Sequence, residues 1–218
     1  VIQRVAAEAL GTALLLAIVV GSGIMGQNLA AGNNAVALLA NTIATGAGLF
    51  TLITVFGPIS GAHFNPAVTV AAVIQRSLRV KEAAAFLAAQ FVGACAGVFA
   101  AHAMFGLPLV QASSHARGTV GECLGEVIAT FGLLLTIRLS SRGPLAHVAG
   151  AVSLWITAAY WFTSSTSFAN PAVTFARSLT DTFAGIAPNH VMAFIASQFL
   201  GMALALATAR WLAPTEDK

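Results

Sequence analysis

Apolar positions in this chain run in blocks too long for the buried face of a soluble helix. Between Val5 and Gln75 the only charged residue is Glu8, and none occurs from Ala83 to Ala116, from Gly143 to Ala176 or from Thr182 to Ala209. A helix crosses a bilayer core with about 20 apolar residues. Each block is therefore long enough for one or two crossings. The pattern predicts spanning helices over Arg4–Met25, Val36–Gly57, Lys81–Met104, Thr119–Leu139, His147–Thr163 and His190–Leu212. Two more segments, Pro66–Ser77 and Pro171–Asp181, are too short to cross. Each follows an Asn and opens on a Pro, a residue well suited to the first helical position. They are predicted as half-helices that enter the membrane and stop midway.

Composition supports the same reading. Only 8% of the 218 residues are charged, against about 25% in a soluble domain, so a soluble surface could not be covered. The first apolar run continues at spanning length, so a cleavable signal peptide is not expected. The net charge of +3 alone would fit a nucleic-acid partner, but its placement points to topology. An even number of crossings puts both termini on one side. Arg4, Arg76, Arg79, Lys81, Arg138, Arg142, Arg210 and Lys218 then fall on the terminal side, and only Arg117 and Arg177 on the other. The positive-inside rule makes both termini cytoplasmic, and no nucleic-acid partner is expected. Cys95 and Cys123 lie in apolar segments and form neither a metal motif nor a disulfide framework.

The chain also repeats itself. Glu8 and Thr12 are echoed by Glu126 and Thr130, Asn-Pro-Ala-Val-Thr at 65–69 by the same five residues at 170–174, and Gln90-Phe91-Val92-Gly93 by Gln198-Phe199-Leu200-Gly201, all in the same order. Three crossings per half is an odd number, so the second half sits upside down relative to the first. An inverted repeat of this kind places its site near the bilayer midplane. The expected organisation is one channel domain over 1–218, with half-repeats at about 1–108 and 119–212. The two half-helices enter from opposite sides and meet N-terminus to N-terminus. Non-helical backbone at that depth must be buried in protein or line a water-filled path. Gly61, Ala62, His63 and Phe64, with Thr166 and Phe168, are accordingly expected to line a pore.

Asn65 and Asn170 stand at N-cap positions, where the side-chain oxygen accepts from the first turn. Each NH₂ is then expected to donate into the pore. The half-helix dipoles present their positive ends at the same place. Such a centre disfavours cations and passes neutral hydroxylated solutes. Asn65-Pro66-Ala67 and Asn170-Pro171-Ala172, with Ser60-Gly61-Ala62-His63-Phe64 before the first, resemble the signatures of the aquaporin, or major intrinsic protein, family. The resemblance covers essentially the whole chain. It implies an all-α membrane protein of six transmembrane helices and two re-entrant half-helices. It also implies a homotetramer in the lipid bilayer with one pore per subunit, no cofactor, no resident metal and no catalysis. A bacterial member of this kind belongs in the inner membrane.

One departure bears on selectivity. The family usually carries Arg directly after the second Asn-Pro-Ala; here the residue is Val173. Counting from the motifs, the other filter positions fall on Thr45, Ala158 and Ser167. The expected filter is small, uncharged and wide, and selectivity in such pores follows diameter, lining donors and electrostatic barriers. Tyr160 to Ala169, with Val173, resembles the bacterial subgroup associated with arsenic-resistance gene clusters. That implies passage of arsenous acid and methylated arsenicals besides water and polyols such as glycerol.

Other residues carry two readings each. Glu8 and Glu126 are intramembrane acids, functional candidates by default. They could bind a coupling ion, as in a secondary transporter, or accept hydrogen bonds from the re-entrant loop of their own half, the scaffold role that the resemblance implies. Arg177 could pair with Asp181 at helical spacing or face an outer vestibule. His102, His115, His147 and His190 lie near segment ends, where a solvated role is expected. No nucleophile–base pair is placed at one depth to suggest an intramembrane enzyme.

Overall fold

The computed structural model describes residues 1–213. Eight α-helices follow in chain order among these residues: α1 (Ile2–Leu29), α2 (Asn34–Ser60), α3 (Pro66–Ile74), α4 (Val80–Met104), α5 (Val120–Ser140), α6 (Leu145–Phe162), α7 (Pro171–Ala176) and α8 (Val191–Leu212). Six of them are long and apolar enough to cross a membrane, and α3 and α7 are the two short ones. The protein is an all-α membrane protein with six spanning helices. Lys218, one of the basic residues placed on the terminal side, lies outside the described residues.

The helix starts have local causes. Asn33 caps α2, and Thr119 and Glu122 form a reciprocal capping box at the start of α5. Asn65 and Asn170 cap α3 and α7, each followed by Pro at the first position. The half-helices are shorter than their sequence suggests. α3 stops at Ile74 because Arg76 turns into the left-handed region, with φ of 59°, and the Ser77 and Leu78 N–H groups fold back to the Ala72 carbonyl. α7 stops at Ala176 and tightens into a 3₁₀ turn over Arg177–Leu179.

The two halves pack alike. α1 lies against α4 and α2, and α5 lies against α8 and α6. α2 closes on α6, and α3 meets α7. The echoed glycines explain the close crossings. A Cβ on Gly93 would come within 2.3 Å of the Ala9 carbonyl oxygen, and one on Gly201 within 2.3 Å of the Val127 carbonyl oxygen. Membrane helices have no hydrophobic drive to associate within lipid, so small residues that let backbones approach carry the packing. The outward faces bear large apolar side chains instead: Val92, Leu154, Met192 and Leu200 are all exposed, as a lipid-facing surface requires.

This geometry predicts that Gly93→Ala lowers the thermal unfolding temperature of the detergent-solubilised protein. The added methyl meets backbone that cannot rotate away, at a cost of about 1–3 kcal/mol or more. Gly150 has nothing within 4 Å of an added Cβ, so Gly150→Ala should leave that temperature unchanged or raise it. Equal unfolding temperatures for the two variants would contradict the role given to the crossing.

Candidate functional site

Between the last turn of α2 and the first of α3 the backbone leaves the helix, and it does so again between α6 and α7. The residues that turn it are not glycines alone. Gly61, Ala62 and Phe64 have φ of 95°, 49° and 49°, and Thr166, Ser167 and Ala169 have φ of 59°, 52° and 49°. The two triplets are separated by the same offset as Asn65 and Asn170. A non-glycine residue in this region costs about 1–3 kcal/mol, so something must hold each loop in place.

Two buried carboxylates do so. Glu8 is fully buried and accepts from the Ser60 hydroxyl at 2.6 Å, His63 N at 3.0 Å, Phe64 N at 2.7 Å and Gln90 Nε2 at 2.8 Å. Glu126, equally buried, accepts from Phe168 N and Ala169 N, each at 2.8 Å, and from Gln198 Nε2 at 2.6 Å. Each glutamine also donates to a motif threonine, Gln90 to Thr69 at 2.8 Å and Gln198 to Thr174 at 2.7 Å. A serine brackets each loop from within, Ala62 N donating to Ser60 Oγ and Ser167 N to Ser165 Oγ. An arginine closes each from outside, Arg4 donating to the Ser60 carbonyl and Arg117 to the Ser165 carbonyl, both at 3.3 Å. Gln90 and Gln198 were visible in the sequence only as members of an echo; these contacts give the echo its physical content.

The loops then cross-link at the centre. Asn65 Nδ2 donates to the Ala169 carbonyl and Asn170 Nδ2 to the Phe64 carbonyl, both at 2.8 Å. Their Oδ1 atoms accept from Ala67 N, and from Ala172 N and Val173 N, respectively. This corrects the expectation of wholly free amides. Each NH₂ commits one hydrogen to the opposite loop and keeps the other.

A cavity of about 390 Å³ runs past this junction. Gly61, Ala62, His63, Phe64, Asn65, Phe168, Ala169 and Asn170 line its middle; Gln75, Ser77, Arg138 and Ser141 line one end, and Thr45, Tyr160, Ser167, Val173 and Arg177 the other. Pro66, Ala67, Pro171 and Ala172 lie buried behind the asparagines. His63 Nδ1 lies 3.1 Å from the Thr69 hydroxyl. That hydroxyl already accepts from Gln90, so its hydrogen is available for Nδ1. His63 itself lines the cavity wall.

Two expected lining residues lie elsewhere. Ala158 is exposed on the outward face of α6. It shares that face with exposed Leu154 and Trp161, four residues before and three after, while Val152, Ile156 and Tyr160 form the buried stripe. Counting back from the motif had fixed a distance along the chain but not a helix face. Tyr160 takes the place, with its hydroxyl 3.3 Å from Thr45 Oγ1. At this level the cavity is lined by Thr45, Tyr160, Ser167 and Val173, uncharged side chains with one aromatic wall. Thr166 turns away from the cavity, and its hydroxyl accepts from Arg117.

The Arg177–Asp181 pairing is also corrected. The α-helix ends before Arg177, so helical spacing no longer holds there. Arg177 is buried, donates through Nε to the Ala184 carbonyl and stacks on Phe168. Asp181 is exposed and accepts from Ser114 N at 2.7 Å and Ser114 Oγ at 2.8 Å; these bonds hold its carboxyl below the usual range. Nor is His102 solvated: it is fully buried between the Leu109 carbonyl and the Thr180 hydroxyl.

If the carboxylates fix the loops, Glu126→Leu leaves three buried donors without an acceptor. At about 1–3 kcal/mol per orphaned group, the purified protein should unfold well below the parent. Glu126→Gln, which keeps one acceptor oxygen, should fall between the two. Thermal unfolding in detergent, followed by circular dichroism, orders the three proteins; a Leu variant as stable as the parent would refute the assignment.

Comparison with known proteins agrees with this architecture. Residues 1–144 match the family model described as Major intrinsic protein. The aquaglyceroporin AqpS of Rhizobium meliloti (strain 1021) is 51% identical over 210 residues, covering 96% of this chain and 90% of that protein. Human aquaporin-4 is 36% identical over 118 residues, or 51% of this chain and 36% of that protein. In structure, the aquaglyceroporin from Plasmodium falciparum superposes with a TM-score of 0.79 at 19% identity, covering 98% of this chain and 97% of that one.

Proposed function

The chain belongs to the major intrinsic protein family, and we propose that its pore passes neutral hydroxylated solutes larger than water through the uncharged level at Thr45, Tyr160, Ser167 and Val173. It is a passive membrane channel for water and small solutes, and not an enzyme. The solute class is the finer question. The observation that carries it is Val173, which lines the cavity directly after the second Asn-Pro-Ala. An arginine there would fill lumen and add charge; a valine does neither. The hydroxyls of Thr45, Tyr160 and Ser167 offer donors and acceptors at one level, facing the apolar Val173 and Ile156. Such a mixed wall suits glycerol and other polyols. Arsenous acid, neutral near pH 7 and bearing three hydroxyls, presents the same chemistry, and its methylated derivatives add an apolar face. The similarity to a protein named aquaglyceroporin supports this reading.

At the centre, Asn65 and Asn170 each offer one remaining N–H to the passing solute. The two half-helix N-termini raise the local potential and disfavour cations. Glu8 and Glu126 act as scaffold: their carboxylate oxygens are occupied by loop N–H groups and glutamine amides, which leaves no coupling-ion site. We further propose a homotetramer in the inner membrane with both termini cytoplasmic. The basic residues Arg4, Arg76, Arg79, Lys81, Arg138, Arg142 and Arg210 then share the cytoplasmic side.

Val173→Arg tests the solute class. Stopped-flow light scattering of proteoliposomes should show glycerol and arsenite permeability falling more than water permeability, because the arginine narrows the lumen and adds a charge. If all three permeabilities stay at the parent level, Val173 does not set the width of the pore.

A further inference from the structure

Replacing arginine by Val173 removes the charge next to the second motif, but the pore is not left without one. Arg177 begins the 3₁₀ turn that directly follows α7 and is only 3% exposed, yet it lines the same cavity end as Ser167 and Val173. Its guanidinium carbon lies 3.3 Å from the centroid of the Phe168 ring. Arg117 also approaches that ring, at 5.2 Å. Stacking of this kind holds a guanidinium over the face of the ring. Phe168 is itself held by its backbone bond to Glu126, so the scaffold that shapes the loop also sets the position of the cation.

The bonding of Arg177 is incomplete. Nε donates to the Ala184 carbonyl, whereas neither terminal nitrogen has a protein partner among the described residues. No carboxylate forms an ion pair with it among the described residues: Asp181 is engaged by Ser114, and the Glu126 oxygens by Phe168, Ala169 and Gln198. Ser167 lines the same level, with its hydroxyl buried and without a partner among the described residues.

We propose that Arg177 is the charge filter of this channel, holding an unpaired guanidinium one turn beyond the usual place, where its field rejects cations and leaves neutral solutes free to pass. This rests on the reading of a pore wider than a water channel, since a wide pore can no longer exclude small organic cations by size. Displacement along the pore separates two properties that an arginine at position 173 would combine. The lumen at Val173 stays open, and the positive potential remains.

Urea and the guanidinium ion form a suitable pair of probes, because they share a planar shape and differ in charge. Their radiolabelled uptake would be measured in proteoliposomes held at fixed potential with potassium and valinomycin, with water permeability read on the same vesicles. The unmodified channel should admit urea and exclude guanidinium. Arg177→Gln should raise guanidinium uptake, taken relative to the water permeability of the same vesicles, by about tenfold or more, as loss of a nearby full charge implies. Arg177→Lys, which keeps the charge, should retain exclusion. Guanidinium exclusion in a water-conducting Arg177→Gln channel would overturn the proposal. So would loss of water flux in that variant, because Arg177 would then be a brace for Ala184. Failure of the unmodified channel to admit urea would count against the wide-pore reading alone, because the guanidinium-to-water comparison still reports on Arg177.

Discussion

A polypeptide that leaves the helix inside a bilayer exposes N–H and C=O groups where no bulk water can satisfy them, and each unsatisfied group costs several kcal/mol. The rest of this structure depends on how that constraint is met. Glu8 and Glu126 each bring two acceptor oxygens to the inner side of a re-entrant loop, and the N–H groups of His63 and Phe64, or of Phe168 and Ala169, close onto them. With the N–H groups held from behind, the Phe64 and Ala169 carbonyls turn to the opposite side and accept from Asn170 and Asn65. The pore centre is thus a consequence of two buried acids that do not touch the solute. A buried charge is tolerable only when hydrogen bonds replace its hydration, and here the charge and the unpaired backbone satisfy each other.

The repeat supplies this scaffold twice, and the differences between the copies supply the chemistry. His63 in the first loop corresponds to Phe168 in the second, and each packs edge-on against a phenylalanine, Phe86 or Phe194. The Thr69 hydroxyl lies against His63 Nδ1, whereas Thr174 donates to the Asn170 carbonyl. One end of the pore therefore gains an imidazole ring. The other gains an aromatic platform for Arg117 and Arg177. A symmetric scaffold with asymmetric lining is a direct way for duplication to yield a pore whose two mouths differ.

Features carried by local rules were legible in the sequence. Asn followed by Pro starts a helix whatever surrounds it, so both half-helices and their capping residues could be placed. Long uncharged runs needed no tertiary context to read as spans. What failed required knowing which way a helix faces or where it ends. Ala158 was placed by counting along the chain, but α6 continues unbroken to Phe162 and turns that position outward. Val152, Ile156 and Tyr160 on one face and Leu154, Ala158 and Trp161 on the other are all apolar or aromatic, so no polar stripe in the sequence tells the pore side from the lipid side. Arg177 and Asp181 looked like helical neighbours only because α7 was drawn too long. The buried role of His102 depends on Thr180 and Leu109, and no spacing along the chain connects those three residues.

Width and charge are usually coupled in a pore, since the side chain that supplies a cation also occupies lumen. Long, flexible arginine stems make the coupling severe, and a guanidinium is tolerated in a narrow bore only when stacked or bonded along one wall. Placing the cation on the turn after α7, flat against Phe168, keeps its bulk on the wall and its field across the lumen. At a few ångströms in a medium of low polarity a full charge dominates hydroxyl dipoles, so a cation one turn further along still acts on the lumen at Val173. The apolar side chain at Val173 and the stacked guanidinium at Arg177 are then two halves of one arrangement, and neither would suit a channel for polyols without the other.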